Sequence, residues 1–189
     1  MSDGERKQEQ AAKERQMVVF RLGREEFGVP ILQTRGIYPY PKVTSLPQLP
    51  AFIQGVFDLQ GEIIPVVDLR RRFGLPELTE GRQDSRVLVV ELDGVKLGLV
   101  VDTVTETVWV AEKDIQPPPA AIAGIHGHYL AGLARRPQGL LILLAPERIL
   151  TEPEREQAAA VGRTPVPGGG PAVPGESAGH DAAAREART

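Results

Sequence analysis

Eleven residues near the start, 19-VFRLGREEFGV-29, lie without a gap over 89-VVELDGVKLGL-99, 70 positions further on. Both read as a strand, a tight polar turn and a second strand, with a glycine at the same place, Gly28 and Gly98. A second pair follows, because 54-QGVFDLQGEIIPVVDLRRRF-73 resembles 131-AGLARRPQGLLILLAPERIL-150. Each has a glycine, a short strand, a turn ending in glycine, an aliphatic run and a basic amphipathic segment. Self-similarity of this kind marks two copies of one unit. Four or five short strands per copy are too few for a sandwich, so the expected architecture is two small antiparallel barrels packed on each other. A glycine repeated inside a strand predicts a bulge or sharp bend, which barrel corners need.

Alternation supports the strands. Val18, Phe20 and Leu22 fall on one face of 17-MVVFRL-22, and in 86-RVLVVEL-92 both faces carry aliphatic residues. The run 62-EIIPVVDL-69 reads as an inner strand with Pro65 at a bend or edge, and Asp68 begins the turn into a short helix carrying Arg70 to Arg72. Ala145, Pro146 and Glu147 stand at the matching place in the second copy, which gives Asp68 no support as a catalytic acid. Residues 1–16 lack apolar periodicity and read as a flexible N-terminal arm. The domain is expected over 17–160, with a first barrel at about 17–75, a second at about 85–145 and a C-terminal helix at about 146–160. Residues 161–189, rich in Gly, Pro and Ala, read as a disordered tail.

Composition removes several function classes. Hydrophobic residues make up 41% and aromatics 5%, which suits a core of Val, Leu and Ile on short strands. A net charge of -3 argues against nucleic acid, whose binding rests on neutralising phosphates. Cysteine is absent, the opening MSDGERKQEQAAKERQ is too charged for a signal peptide, and apolar runs such as 140-LLILLA-145 are too short to span a bilayer. A soluble, cytoplasmic protein without membrane insertion is expected.

Candidate chemistry is thin. Gly175, Ser177 and Gly179, with His180 adjacent, match the nucleophile-elbow pattern, but they lie in the Pro/Gly tail rather than on a strand-to-helix turn. His126 and His128 lack the third ligand that a catalytic zinc needs. The GIHG stretch from Gly124 to Gly127 sits among the wrong flanks for a nucleic-acid clamp, and Arg70 to Arg72 read as a solvated helix face. Glu25 and Glu26 are hydrophilic tips of a hairpin. Neither a catalytic site, a metal nor a cofactor is expected; aliphatic barrel faces and edges suit another protein.

The stretches 27-FGVPILQTRGIYPYPKVTSLPQLPAFIQGVFDLQGEIIPVVDLRRRFG-74, 97-LGLVVDTVTETVWVAEKDIQPPP-119 and 129-YLAGLARRPQGLLILLAPERIL-150 resemble the CheW family of bacterial chemotaxis coupling proteins. That resemblance implies two five-stranded SH3-like barrels around a shared core. It also implies a non-enzymatic adaptor whose partners are the regulatory domain of a CheA-type histidine kinase and the cytoplasmic tips of methyl-accepting chemoreceptors, in arrays at the membrane. By the resemblance Ile31, with Val29, meets the kinase; the plainer reading of Ile31 is a half-buried strand residue. Thr34, Arg35, Gly36, Ile37, Asp58, Gln60 and Gly61 match parts of the receptor-facing groove. The chain departs from the family there: a common Val-x-Glu-Ile run is Thr34, Arg35, Gly36 and Ile37, and a common Asn-Leu-Arg-Gly run is Asp58, Leu59, Gln60 and Gly61. Ala120 and Ala121 stand where members can carry an acidic-aromatic pair used in ring assembly. The departures at Gly36 and Gln60 favour, as the alternative, a divergent scaffold for a non-flagellar CheA-like pathway such as surface motility or pilus control.

Overall fold

A computed structural model describes residues 14–78, 82–119 and 127–163. The fold is mainly β. Eleven strands occur among the described residues: β1 (Glu14–Leu22), β2 (Glu25–Pro30), β3 (Thr34–Pro39), β4 (Ile53–Leu59), β5 (Glu62–Asp68), β6 (Arg86–Leu92), β7 (Val95–Val101), β8 (Thr103–Ala111), β9 (Ile115–Gln116), β10 (Leu130–Arg136) and β11 (Gly139–Leu144). Two helices accompany them, α1 (Leu69–Arg72) and α2 (Glu152–Gly162). The first sheet has the order β8-β1-β2-β11-β10-β9 and the second β3-β6-β7-β5-β4.

The two copies are interleaved rather than laid end to end. Hairpin β1–β2 joins the first sheet with strands from the C-terminal half, while β6–β7 joins the second sheet with β3, β4 and β5. The expected division into one barrel at 17–75 and another at 85–145 is therefore corrected: each sheet borrows its central hairpin from the other copy. Nor are the sheets purely antiparallel. The borrowed hairpin enters by a parallel pair in each, Gly28 opposite Leu143 and Gly98 opposite Val66. Pro65 lies just before that parallel pairing begins at Val66, so its missing N–H falls outside the parallel ladder.

Register shows how complete the duplication is. Pairing slips by one residue at Arg35 in β3 and at Thr105 in β8, and again at Gln54 in β4 and Ala131 in β10. The first two positions are related by the repeat offset of the leading hairpins, the last two by that of the trailing strands. The bulges expected at Gly28 and Gly98 are thus elsewhere. Those glycines answer a different demand, close approach inside each barrel. A Cβ on Gly98 would stand 2.8 Å from Val87 Cγ1 and 3.1 Å from the Phe57 ring, and one on Gly28 would meet Leu141 and Leu143 at 3.4 Å.

Three apolar clusters follow from alternation on two-sided strands. Met17 and Val19 of β1 pack with Val110, Ala134, Leu141 and Leu143 inside the first sheet. Val87 and Val89 of β6 pack with Phe57, Ile64, Val66 and Val100 inside the second. Tyr38 of β3 and Leu59 of β4, from opposite ends of the strand order, both join that cluster, so the sheet curls into a barrel. The intervening residues, Val18, Phe20 and Leu22 on β1 and Leu88, Val90 and Leu92 on β6, enter one large core between the sheets. The expected pair of small SH3-like barrels around a shared core is the observed architecture.

Both ends of the domain differ in detail from expectation. β1 starts at Glu14, inside the expected arm, because residues 14–16 pair with Trp109 to Ala111 of β8 and Arg15 binds Glu112. Residues 1–13 lie outside the described residues. The C-terminal helix runs over Glu152–Gly162 rather than 146–160, since Thr151 and Glu154 form a capping box that sets its start; Pro146–Arg148 is a separate 3-10 turn. The remaining tail, 164–189, lies outside the described residues, as do Ser177 and His126.

Alanine at Gly98 should destabilise the fold by about 1–3 kcal/mol through overpacking. Alanine at Gly28, with softer contacts, should stay within about 1 kcal/mol of the parent. Urea midpoints of the two variants test this, and equal effects would contradict the close-approach account.

Candidate docking surfaces

The acid-and-arginine cluster at the end of β5 is structural. Asp68, almost wholly buried, caps α1 by accepting from the backbone N–H groups of Arg70 at 2.9 Å and Arg71 at 3.3 Å. Arg70 makes two hydrogen bonds to Asp102, 2.6 Å from Nε to Oδ1 and 2.5 Å from Nη2 to Oδ2. Asp102 also accepts from Gly23 N–H at 2.6 Å. Since Gly23 turns hairpin β1–β2 and Arg70 follows β5, this carboxylate ties the two sheets together. Arg72 donates to Ile149 O and both oxygens of Glu154, and its guanidinium lies 5.6 Å from the Tyr129 ring centroid. The expectation of a solvated arginine face holds only for Arg71, whose partner Glu77 is equally exposed. Burial alone would push the Glu154 carboxyl up, but hydrogen bonds from Arg72 and Thr151 hold it below the ordinary glutamate value.

The chain crosses between sheets twice, through the 3-10 turn Ile31–Gln33 and through Asp102. Leu32 is the repeat equivalent of Asp102. Where Asp102 is locked inward, Leu32 is 84% exposed. Ile31 beside it is half-buried against the shared core, whereas Val29 is fully buried there and presents nothing to a partner. Val29 is therefore corrected from a contact residue to a core residue beneath Ile31. Trp109 on β8, 63% exposed, lies opposite Gln16 of β1, which is one step from the Met17–Pro30 pair. Ile31 follows Pro30 in the 3-10 turn at the end of β2, so β1 lies between it and the strand that carries Trp109.

The groove-matching residues occupy one end of the second sheet. Thr34 Oγ1 donates to Pro30 O, and Ile37 is 44% exposed. Arg35, the bulged residue, donates to Glu91 at 2.9 Å and to Leu32 O at 3.2 Å. Gly36 lies under the Tyr38 ring; a Cβ there would be 2.6 Å from it. Across β6, β7 and β5, the turn 58–61 has positive φ at both Gln60 and Gly61, the geometry of a two-residue hairpin, and Asp58 accepts from Gly61 N–H at 2.6 Å. The two segments share an end of the sheet, on the strands at its opposite edges. Among the described residues no group of His, Cys, Asp or Glu is placed to hold a metal, and no helix is long and apolar enough to cross a membrane. His128 is exposed, with only its ring edge against Tyr129.

Residues 16–154 match the CheW-like domain. The chain belongs to the CheW family. It is 32% identical over 147 residues to the chemotaxis protein CheW of Treponema pallidum, covering 76% of this chain and 86% of that protein. It is 34% identical over 110 residues to the protein FrzA of Myxococcus xanthus, covering 58% and 68% respectively. The crystal structure of the scaffolding protein TtCheW from Thermoanaerobacter tengcongensis superposes with a TM-score of 0.66 at 33% identity, covering 72% of this chain and 88% of that one. As a CheW-family protein the chain is a chemotaxis scaffold, not an enzyme. Sequence reasoning passed over Leu32 and Trp109. Trp109 was legible: in 105-TETVWVA-111 the residues Val108 and Val110 share one face and leave the tryptophan on the other. Leu32 carried no such signal, because its exposure depends on a turn between sheets.

Replacing Arg72 by alanine should lower stability by roughly 1.5–3 kcal/mol near neutral pH, the range for hydrogen bonds to charged groups. Because Glu154 is depressed in the folded state, its contribution is present above the unfolded glutamate value and is lost as pH falls through the lower folded one. The stability gap between parent and variant should therefore close in acid, as denaturant titrations at several pH values would read; a gap constant with pH would contradict the assignment.

Proposed function

We propose that this chain couples the cytoplasmic tips of chemoreceptors to the regulatory domain of a CheA-type histidine kinase, by protein contacts alone, in the cytoplasm at receptor arrays. The observation that carries the reading is Leu32, 84% exposed in the crossover turn beside half-buried Ile31 and just before the groove residues that begin at Thr34. Single exposed aliphatic residues are common on protein surfaces, but an exposed tryptophan such as Trp109 is of the residue type enriched where interfaces concentrate their energy. In this reading Ile31, Leu32 and Trp109 meet the kinase, while Thr34, Arg35, Gly36, Ile37, Asp58, Gln60 and Gly61 meet the receptor. Family membership and the scaffolding relative support it.

A second reading is favoured by Gly36 and Gln60, neutral where the family commonly has Glu and Arg: the same coupling chemistry serving a non-flagellar CheA-like pathway. A deletion strain separates the two, since loss of swimming chemotaxis supports the first and loss of surface movement alone the second.

Titration calorimetry against the regulatory domain of a CheA kinase from the same organism should show micromolar or tighter binding. Ile31→Glu should weaken it at least tenfold, consistent with about 1.5–3 kcal/mol for one buried aliphatic side chain. Trp109→Ala should cost about 2 kcal/mol or more if it sits at the centre of the contact. Absence of heat with every cognate kinase would overturn the kinase assignment.

A further inference from the structure

Resting on the receptor-binding reading, the geometry points to a receptor-facing end whose charge ladder is paired within itself and which accepts a helix presenting neutral side chains against that ladder. Four charged residues cross this end of the second sheet on adjacent strands with alternating sign: Arg35 on β3, Glu91 on β6, Lys96 on β7 and Glu62 on β5. Arg35 binds Glu91 at 2.9 Å, Glu91 stands directly opposite Lys96, and Lys96 binds Glu62 at 2.5 Å. The hydrogen bond from Arg35 holds the Glu91 carboxyl below its ordinary value, and the one Lys96 donates to Glu62 holds the Lys96 ammonium above its own. Both shifts have the sign of groups that already serve one another.

Apart from the exposed carboxylate of Asp58, what the ladder leaves for a partner is neutral. Gly36 offers backbone and the Tyr38 ring above it, Ile37 offers an exposed aliphatic side chain, and Gln60 an uncharged amide. Asp58 directs one oxygen to the Gly61 N–H of its own turn. A lysine or arginine set against the ladder would have to draw Glu91 or Glu62 away from an existing partner, which leaves Asp58 at the turn as the acid such a residue could reach without breaking a pair. An acidic residue would have to do the same with Arg35 or Lys96. Charge on the partner therefore exchanges one ion pair for another and gains little, whereas burial of Ile37 against an apolar side chain is unopposed.

The consequence is an association insensitive to salt, since ions screen exposed charges only where those charges act between the partners. Calorimetry of the full chain with a soluble cytoplasmic hairpin of a chemoreceptor from the same organism, at about 50 mM and about 500 mM NaCl, should give dissociation constants within about threefold of each other. Weakening of tenfold or more at the higher salt would overturn the inference while leaving receptor binding intact. Failure of every receptor hairpin to bind at either salt would overturn the receptor-binding reading and this inference with it. Arg35→Gln, at an exposed position, should leave the fold unchanged, release Glu91 and make binding salt-dependent. Salt-insensitive binding by that variant would show that the ladder does not set this property.

Discussion

β1 and β6 each bury both faces, alternate side chains entering the interior of one barrel and the apolar layer between the two. This double burial is the constraint on which the rest of the molecule depends. A strand with two apolar faces has no solvent side, so its hairpin must sit inside a sheet and against a second one. Neither copy alone offers both, and a small domain buries too little of its own surface to tolerate the exposure. Interleaving meets the requirement: each hairpin takes a central place in the opposite copy's sheet and turns its second face to the common layer. The tight glycines at Gly28 and Gly98 follow from the same crowding, because the barrel interiors are filled by side chains from five strands or more.

The two crossings between sheets show where the near-symmetry of the copies breaks. At one, Asp102 is fixed by Arg70 and by the Gly23 backbone, with the arginine and aspartate side chains only 13% and 16% exposed. A buried pair of this kind is weak support for stability as such but strong support for a unique geometry, since an unmatched charge there would be costly. At the other crossing the equivalent residue is Leu32, which faces outward. One joint is a clamp and the other is a surface, although both descend from the same place in the repeat.

Much of this was legible in the sequence, and what was not has a common cause. The repeat, the strands and the barrel class could be read from local pattern and resemblance; Ile31 is half-buried, as its plainer reading had it, but in a 3-10 turn rather than on a strand. Strand pairing could not, because period-two alternation says that a strand is covered without saying by which strand. The functions of Arg70 and Arg72 were hidden for the same reason: their partners, Asp102 and Glu154, are 32 and 82 residues away. Val29 could have been placed correctly, since it alternates with Phe27 on the face that turns inward. The start of β1 was concealed by its polar residues, which are held by backbone pairing and by the Arg15–Glu112 bond rather than by burial.

The duplicated frame has retained its slips and glycines while its ends have diverged. Glu91 and Lys96 at the end of the second sheet correspond in the repeat to Arg21 and Glu26, which also pair, but with the signs reversed. Arg136 and Glu106 extend that reversed set on the first sheet, where the second has Leu59 and Gly36. Residues that fill the interior are answerable to both copies at once, because each hairpin serves the other's sheet. Residues at the rims are answerable only to their own surroundings. A repeated frame interleaved in this way is a body that cannot be halved yet carries two unlike ends, so the two copies never form two separable domains.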